Sequence, residues 1–156
     1  MRPVDPGHFR SVMGNFATGV TVITATADAG PVGMTANAVA SLSLEPLLLL
    51  VAFDKTARTL QIVRETGRFG VNVLGAGQEE LARLFASKAP EDAKFAGVPH
   101  SVNDGLPVIY GTIAWVGCRL ERLVDGGDHT IGIGAVESAE AGDGRPLLWF
   151  RGAYRA

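Results

Sequence analysis

The chain has 156 residues, 47% hydrophobic and 19% charged, with 14 Lys and Arg against 16 Asp and Glu for a net charge of −2. That length closes one hydrophobic core as a single domain over residues 1–156, and the apolar content excludes a disordered chain. No basic run exists for phosphates to bind, so no nucleic-acid partner is expected.

Asp5 followed by Pro6 is a helix N-cap with proline at the first helical position. Phe9, Val12, Met13 and Phe16 then recur at helical spacing, which predicts a short amphipathic helix. The opening segment MRPVDPGHFR is polar and broken by proline, unlike the apolar centre of a signal peptide. Gly19–Thr26 reads as a strand and Asp28–Gly30 as its hairpin turn. Pro31–Pro46 begins as the return strand and dissolves into small and hydroxyl residues. Leu47–Phe53 is apolar at every position, which predicts a strand covered on both faces. The same run is the longest apolar stretch and is too short to cross a bilayer.

Thr56–Gly67 carries a capping Thr, apolar Leu60, Ile62 and Val63, and a terminal Gly, the marks of a helix. Arg68–Leu74 follows as a strand and Gln78–Ala86 as a second short helix. Ser87–Pro107 has no sustained periodicity and reads as a long loop. Val108–Val124 is a long strand or a bent pair, with Gly111 and Gly117 as bend or bulge points. A glycine hairpin in VDGGDHTIGIGAVESAE, a turn at AGDGRP and the segment Leu147–Tyr154 complete the chain. Short strands between glycine turns, with few helices and no regular β-α alternation, predict a mainly β fold, a β-barrel or sandwich with helical decoration.

Cys118 is the only cysteine and alternates with Val116 and Leu120, which predicts a buried, inert thiol. No Cys/His cluster has metal-ligand spacing, so no metal site is expected. A reducing cytoplasm is the simplest setting for such a chain.

Three stretches can carry chemistry. GMTANAVASLS, residues 33–43, offers backbone amides and hydroxyls with little bulk, as the polar edge of a flat heteroaromatic ligand requires. Tight packing at a barrel corner explains the same composition. FDKTARTL, residues 53–60, places Lys55, Thr56, Arg58 and Thr59 where a strand meets a helix. Free amides and the helix dipole suit such a junction to a phosphate, although Asp54 or Thr56 as a simple cap and a solvated Lys55 explain it too. Neither a GxGxxG nor a GxxxxGK[ST] motif is present. His129 ends a glycine turn that needs no histidine, and it reads either as a turn residue beside Asp128 or as a site residue. Trp115, Trp149, Phe150 and Tyr154 read as barrel core.

The ordered segments FATGVTVITA, GMTANAVASLSLEPLLLLVAFDK, GVNVL, LARLFAS and GDHTIGIGAV, spread from Phe9 to Tyr154, closely resemble the flavin reductase-like family with the FMN-binding split-barrel fold. The resemblance implies a homodimeric NAD(P)H:flavin oxidoreductase that moves hydride from NADH or NADPH to FMN or FAD. It also implies a partner flavin-dependent monooxygenase that uses the reduced flavin. It places Thr35, Ala36, Asn37, Ala38 and Ser41 against the flavin ring and ribityl chain. Asp54, Lys55, Thr56 and Thr59 fall around the phosphate, and Phe85, Ala86, Ser87 and Lys88 near the rim. The family's GDH signature matches Gly127, Asp128 and His129 and assigns His129 to positioning the nicotinamide. A tail contact to the nicotinamide would come from Arg151 to Tyr154, with Tyr154 the candidate. Pyridoxamine-phosphate oxidase-like enzymes, or a non-catalytic flavin- or haem-binding module, are the alternatives on the same barrel.

Overall fold

The computed structural model describes residues 2–156. In chain order the elements are α1 (Pro6–Met13), β1 (Thr18–Gly19), β2 (Thr21–Ala27), β3 (Gly30–Ala36), β4 (Val39–Leu44), β5 (Leu47–Asp54), α2 (Arg58–Thr66) and β6 (Arg68–Val73). They continue with α3 (Glu79–Ala86), α4 (Glu91–Phe95), β7 (His100–Asn103), β8 (Leu106–Ile109), β9 (Ala114–Gly126), β10 (His129–Ala141), β11 (Leu148–Phe150) and β12 (Ala153–Arg155).

Seven strands form one antiparallel sheet in the order β3-β2-β6-β9-β10-β5-β4. Its two edge strands, β3 and β4, are consecutive in sequence and joined by Asn37 and Ala38 alone. The sheet therefore curls until its edges approach without hydrogen-bonding to each other. Residues 31–46, expected to dissolve after one strand, are instead two strands with a two-residue break. Small residues pair in β4 because β5 supplies the backbone partners.

The barrel interior is closed by rings and by α2. Phe53 and Phe69 meet edge to face at 5.8 Å, with Leu60, Ile62 and Val63 of α2 packed in the same cluster. Burial of these side chains, at about 25 cal/mol per Å² of apolar surface, is the main force holding α2 in place. Gly67 ends the helix in the left-handed region at φ 71°, its N–H bonded to the Val63 carbonyl. Thr56 does not cap α2: the N-cap is Ala57, with no side-chain cap. The alternating glycines of β10 are explained by the same rings. A Cβ on Gly132 would stand 2.7 Å from Phe53 Cε2, and one on Gly134 2.7 Å from Phe69 Cζ.

Strand β5 departs from expectation. Leu49, Val51 and Phe53 are buried, whereas Leu48, Leu50 and Ala52 on the other face are only half-buried. Helix α1 forms where predicted, with Asp5 Oδ2 accepting the His8 N–H at 3.0 Å. Yet no residue of α1 is buried, and Phe9, Val12, Met13 and the following Phe16 are all exposed.

A second cluster (Val20, Val22, Leu74, Phe85, Phe95, Ile109, Leu147) lies outside the barrel under α3 and α4. The segment 87–107, expected to be a loop, contains α4, β7 and the first half of β8. These pieces are too short to give a periodic signal, and Asn72 and Thr24 hold β8 to the sheet. Asn72 Oδ1 accepts the Ile109 N–H at 2.8 Å, its Nδ2 donates to Val22 O, and Thr24 Oγ1 donates to Pro107 O. The stretch 108–124 is divided at Gly111 (φ 84°), after which β9 begins. A register shift between Val136 and Ser138 lies opposite Gly117, the other expected bulge point. β1, β11 and β12 form a small separate sheet. Trp115 is buried in core, while Trp149, Phe150 and Tyr154 are half-buried.

Cys118 is fully buried, and desolvation with the nearby Glu137 charge pushes its thiol up to about 12. It should resist a thiol reagent such as DTNB in the native protein and react fully once unfolded; rapid native labelling would contradict the buried placement. Among the described residues no helix is long and apolar enough to cross a membrane.

Candidate functional site

A cleft of about 320 Å³ opens where three pieces of chain meet: the Gly33–Thr35 part of β3, the turn from Asp54 into α2, and the α3–α4 connection. Of the residues singled out in the sequence, the structure brings Thr35, Asp54, Thr56, Thr59, Phe85, Ala86, Ser87 and Lys88 together in its lining. Segments far apart in the chain converge here because β3 and β5 lie toward opposite ends of the curled sheet. Gly33, Met34, Ala57, Arg58, Ala89, Glu91 and Lys94 complete the lining. Glu91 and Lys94 escaped the sequence reading because they lie in what looked like a loop. Their charged i,i+3 spacing was the available signal.

The walls are fixed by hydrogen bonds. Thr35 Oγ1 donates to Ala82 O at 2.6 Å and ties α3 to β3. Gly33 permits the close approach of Phe85, since a Cβ there would stand 2.8 Å from Phe85 Cε1. Asp54 Oδ1 accepts both the Thr56 N–H at 2.7 Å and the Thr56 hydroxyl at 2.6 Å. Those two bonds, the hydroxyl first, hold the Asp54 carboxyl below its usual value, with His129 and Lys88 adding smaller effects of the same sign.

Thr59 stands in the first turn of α2, and its Oγ1 is buried without a hydrogen-bond partner. A buried hydroxyl left unpaired is costly, so its position in the cleft wall marks a place for an acceptor or donor from a ligand. The unpaired N–H groups and dipole of the α2 start, with Arg58 and Lys88 on the same cleft, make that end receptive to an anion.

The remaining candidates lie elsewhere. Ala36 ends β3 and is buried; Asn37 and Ala38 carry the chain across to β4, with Asn37 Oδ1 also buried and unpartnered. Ser41 is exposed on β4, opposite Leu49. Lys55 turns away from the cleft and forms an ion pair with Asp125. Tyr154 packs on Trp149 at 4.8 Å and beneath the Arg83 guanidinium, outside the cleft. Burial raises its phenol, partly offset by Arg83.

His129 starts β10 directly opposite Asp54, so the two side chains share a face at the cleft edge. Gly127, at φ 77°, is the first of two central residues in the β9–β10 turn, the position where such hairpins require glycine. Asp128 Oδ1 lies 2.7 Å from His129 Nδ1 and orients the ring, and Asp128 O accepts the Lys55 N–H at 3.1 Å. The turn thus joins the histidine to the strand end that leads into the cleft.

The family described as "Flavin reductase like domain" matches residues 13–156. The chain is 44% identical over 155 residues to the reductase subunit HsaB of a flavin-dependent monooxygenase from Mycobacterium tuberculosis, covering 97% of this chain and 82% of that protein. It is 42% identical over 147 residues to the FMN reductase (NADH) SmoA of Agrobacterium fabrum, covering 94% and 83%. The structure of the NADH:FAD oxidoreductase SgcE6 from Streptomyces globisporus C-1027, in complex with NAD and FAD fragments, superposes with a TM-score of 0.91 at 38% identity, covering 100% of this chain and 96% of that one. The curled sheet with unpaired edges accordingly has the split-barrel architecture, and the chain belongs to the flavin reductase-like family.

Proposed function

We propose that this protein is an NADH-dependent flavin reductase that binds FMN or FAD in the cleft and supplies reduced flavin to a separate monooxygenase. The observation that carries the reading is Thr59 Oγ1, buried and unpartnered at the cationic start of α2 within the cleft. A flavin phosphate or pyrophosphate supplies the acceptor that Thr59 lacks, assisted by Arg58 and Lys88. The β3 wall, from Gly33 to Thr35, is the low-relief surface for the ring. The bound flavin supplies the capacity to accept hydride from a dihydronicotinamide. The chain holds the two in reach and keeps the site apolar on the Phe85 side. NADH as donor and a partner oxygenase are carried over from the names of SmoA and HsaB. The family match favours this reading over an amine oxidase or a haem module.

The decisive assay mixes the protein with NADH or NADPH and FMN or FAD and follows loss of dihydronicotinamide absorbance. Turnover is expected; flavin binding without turnover in any combination overturns the reading. His129, oriented by Asp128 at the cleft edge, positions the nicotinamide. His129→Ala should raise KM for NADH about tenfold while leaving flavin Kd unchanged, the size expected for one lost polar contact. Unchanged steady-state kinetics would remove His129 from the site.

We further propose that a second copy of this chain covers the outer apolar face. Leu48, Leu50, Ile131 and Ile133 form a half-buried patch on the outer face of β5 and β10, and the β4–β5 hairpin at its end exposes Leu42, Leu44 and Leu47. Such a surface favours self-association. Light scattering on the eluting protein should give twice the chain mass, and a fully active monomer would contradict it. The free Cys118 and the nicotinamide supply of the cell interior suit a cytoplasmic site of action.

A further inference from the structure

Lys94 is 6% exposed, which is unusual for a lysine, and it lines the cleft. Its environment is defined on three sides. Nζ donates to Gly33 O at 3.3 Å and to Glu91 Oε1 at 3.4 Å, while Glu91 Oε2 accepts the Gly33 N–H at 3.0 Å. Glu91 and Lys94 together occupy both backbone groups of Gly33 on the free edge of β3, as a neighbouring strand would. This clasp uses both carboxylate oxygens but only two of the three ammonium protons, and both ammonium contacts are long. A buried ammonium with an unused N–H is costly unless something in the cleft accepts it.

We propose that Lys94 is a further flavin-binding residue, donating its remaining N–H to an acceptor on the ring system and favouring the reduced form; this rests on the flavin-binding reading above. The ring is chosen over the phosphate because the anion-receptive end of the cleft is at Arg58 and Thr59 of the α2 start. Lys94, by contrast, is pinned to the β3 wall beside Gly33. Reduced flavin carries a negative charge at neutral pH, and a cation held near the ring in a partly desolvated site stabilises it. Glu91 tempers that charge and fixes its place.

The test uses Lys94→Met and Glu91→Gln, with anaerobic titrations of oxidised and dithionite-reduced FMN and riboflavin followed by fluorescence or absorbance, and thermal melts beside them. Lys94→Met should weaken riboflavin and FMN alike, roughly tenfold or more, and reduced flavin more than oxidised. Glu91→Gln keeps an acceptor for the Gly33 N–H, and it should shift the reduced-to-oxidised affinity ratio the opposite way. That second variant carries the test if Lys94→Met fails to fold. Unchanged affinities, a loss confined to FMN, or an equal loss for both redox states that follows a lowered melting temperature would each overturn the inference. Wild-type protein that binds no flavin would overturn the flavin reading and this inference with it.

Discussion

Gly134→Val lowers the melting temperature by about 6–12 °C, from a cost of roughly 3 kcal/mol and about 2–4 °C per kcal/mol for a chain of this size. Gly134 faces the barrel interior, where a Cβ would stand 2.7 Å from Phe69 Cζ and 2.8 Å from Cys118 Cβ. Neither neighbour can retreat. Phe69 is fully buried and locked edge to face against Phe53, and Cys118 is fully buried on the paired strand β9. Interiors packed to crystal density transmit such a clash rather than absorb it. The adjacent Ile133 points outward and is half-buried, so Ile133→Val should cost about 1 kcal/mol or less. Circular dichroism melts of the two variants test the pair. Equal melting temperatures would mean that β10 does not present its glycines to the rings.

Thr59→Val separates binding from stability. The substitution keeps the β-branched shape and removes a hydroxyl that is buried without a partner. The melting temperature should hold or rise, since an unsatisfied polar group disappears from the interior. FMN affinity should fall roughly tenfold to a hundredfold, the range for a hydrogen bond to a charged group, with riboflavin affinity unchanged. Fluorescence titration with both ligands reads this directly. A variant that binds FMN as tightly as wild type, or that loses riboflavin equally, would move the phosphate away from the α2 start.

Much of the site was legible because it is local. The strand-to-helix junction at residues 53–60 reads from composition, although Ala57 rather than Thr56 stands at the N-cap, and the structure brings Asp54, Thr56 and Thr59 to the cleft. What failed was direction. Lys55 carries the obvious charge, yet its side chain follows the alternation of the strand end and meets Asp125 on the β9–β10 hairpin, which is 70 residues away in sequence. Lys88 and Arg58 line the cleft instead. Glu91 and Lys94 offer only an i,i+3 charge spacing, because a five-residue helix gives no periodic signal, and its meaning depends on Gly33, which lies far away in the chain.

The chain's own residues determined the local elements: the Asp5–Pro6 helix start, the Gly67 stop, the Gly127 turn and the alternation that buries Cys118. Each depends on interactions spanning a few residues, or on a period of 2 or 3.6, which a linear pattern carries. Only the tertiary structure decided that β10 needs glycine where Phe53 and Phe69 meet, that one face of Leu47–Phe53 stays half-open, and that a buried lysine clasps the edge of β3. Those outcomes depend on which distant surfaces the curled sheet presses together, and pair distances of that kind are set by packing rather than by sequence spacing.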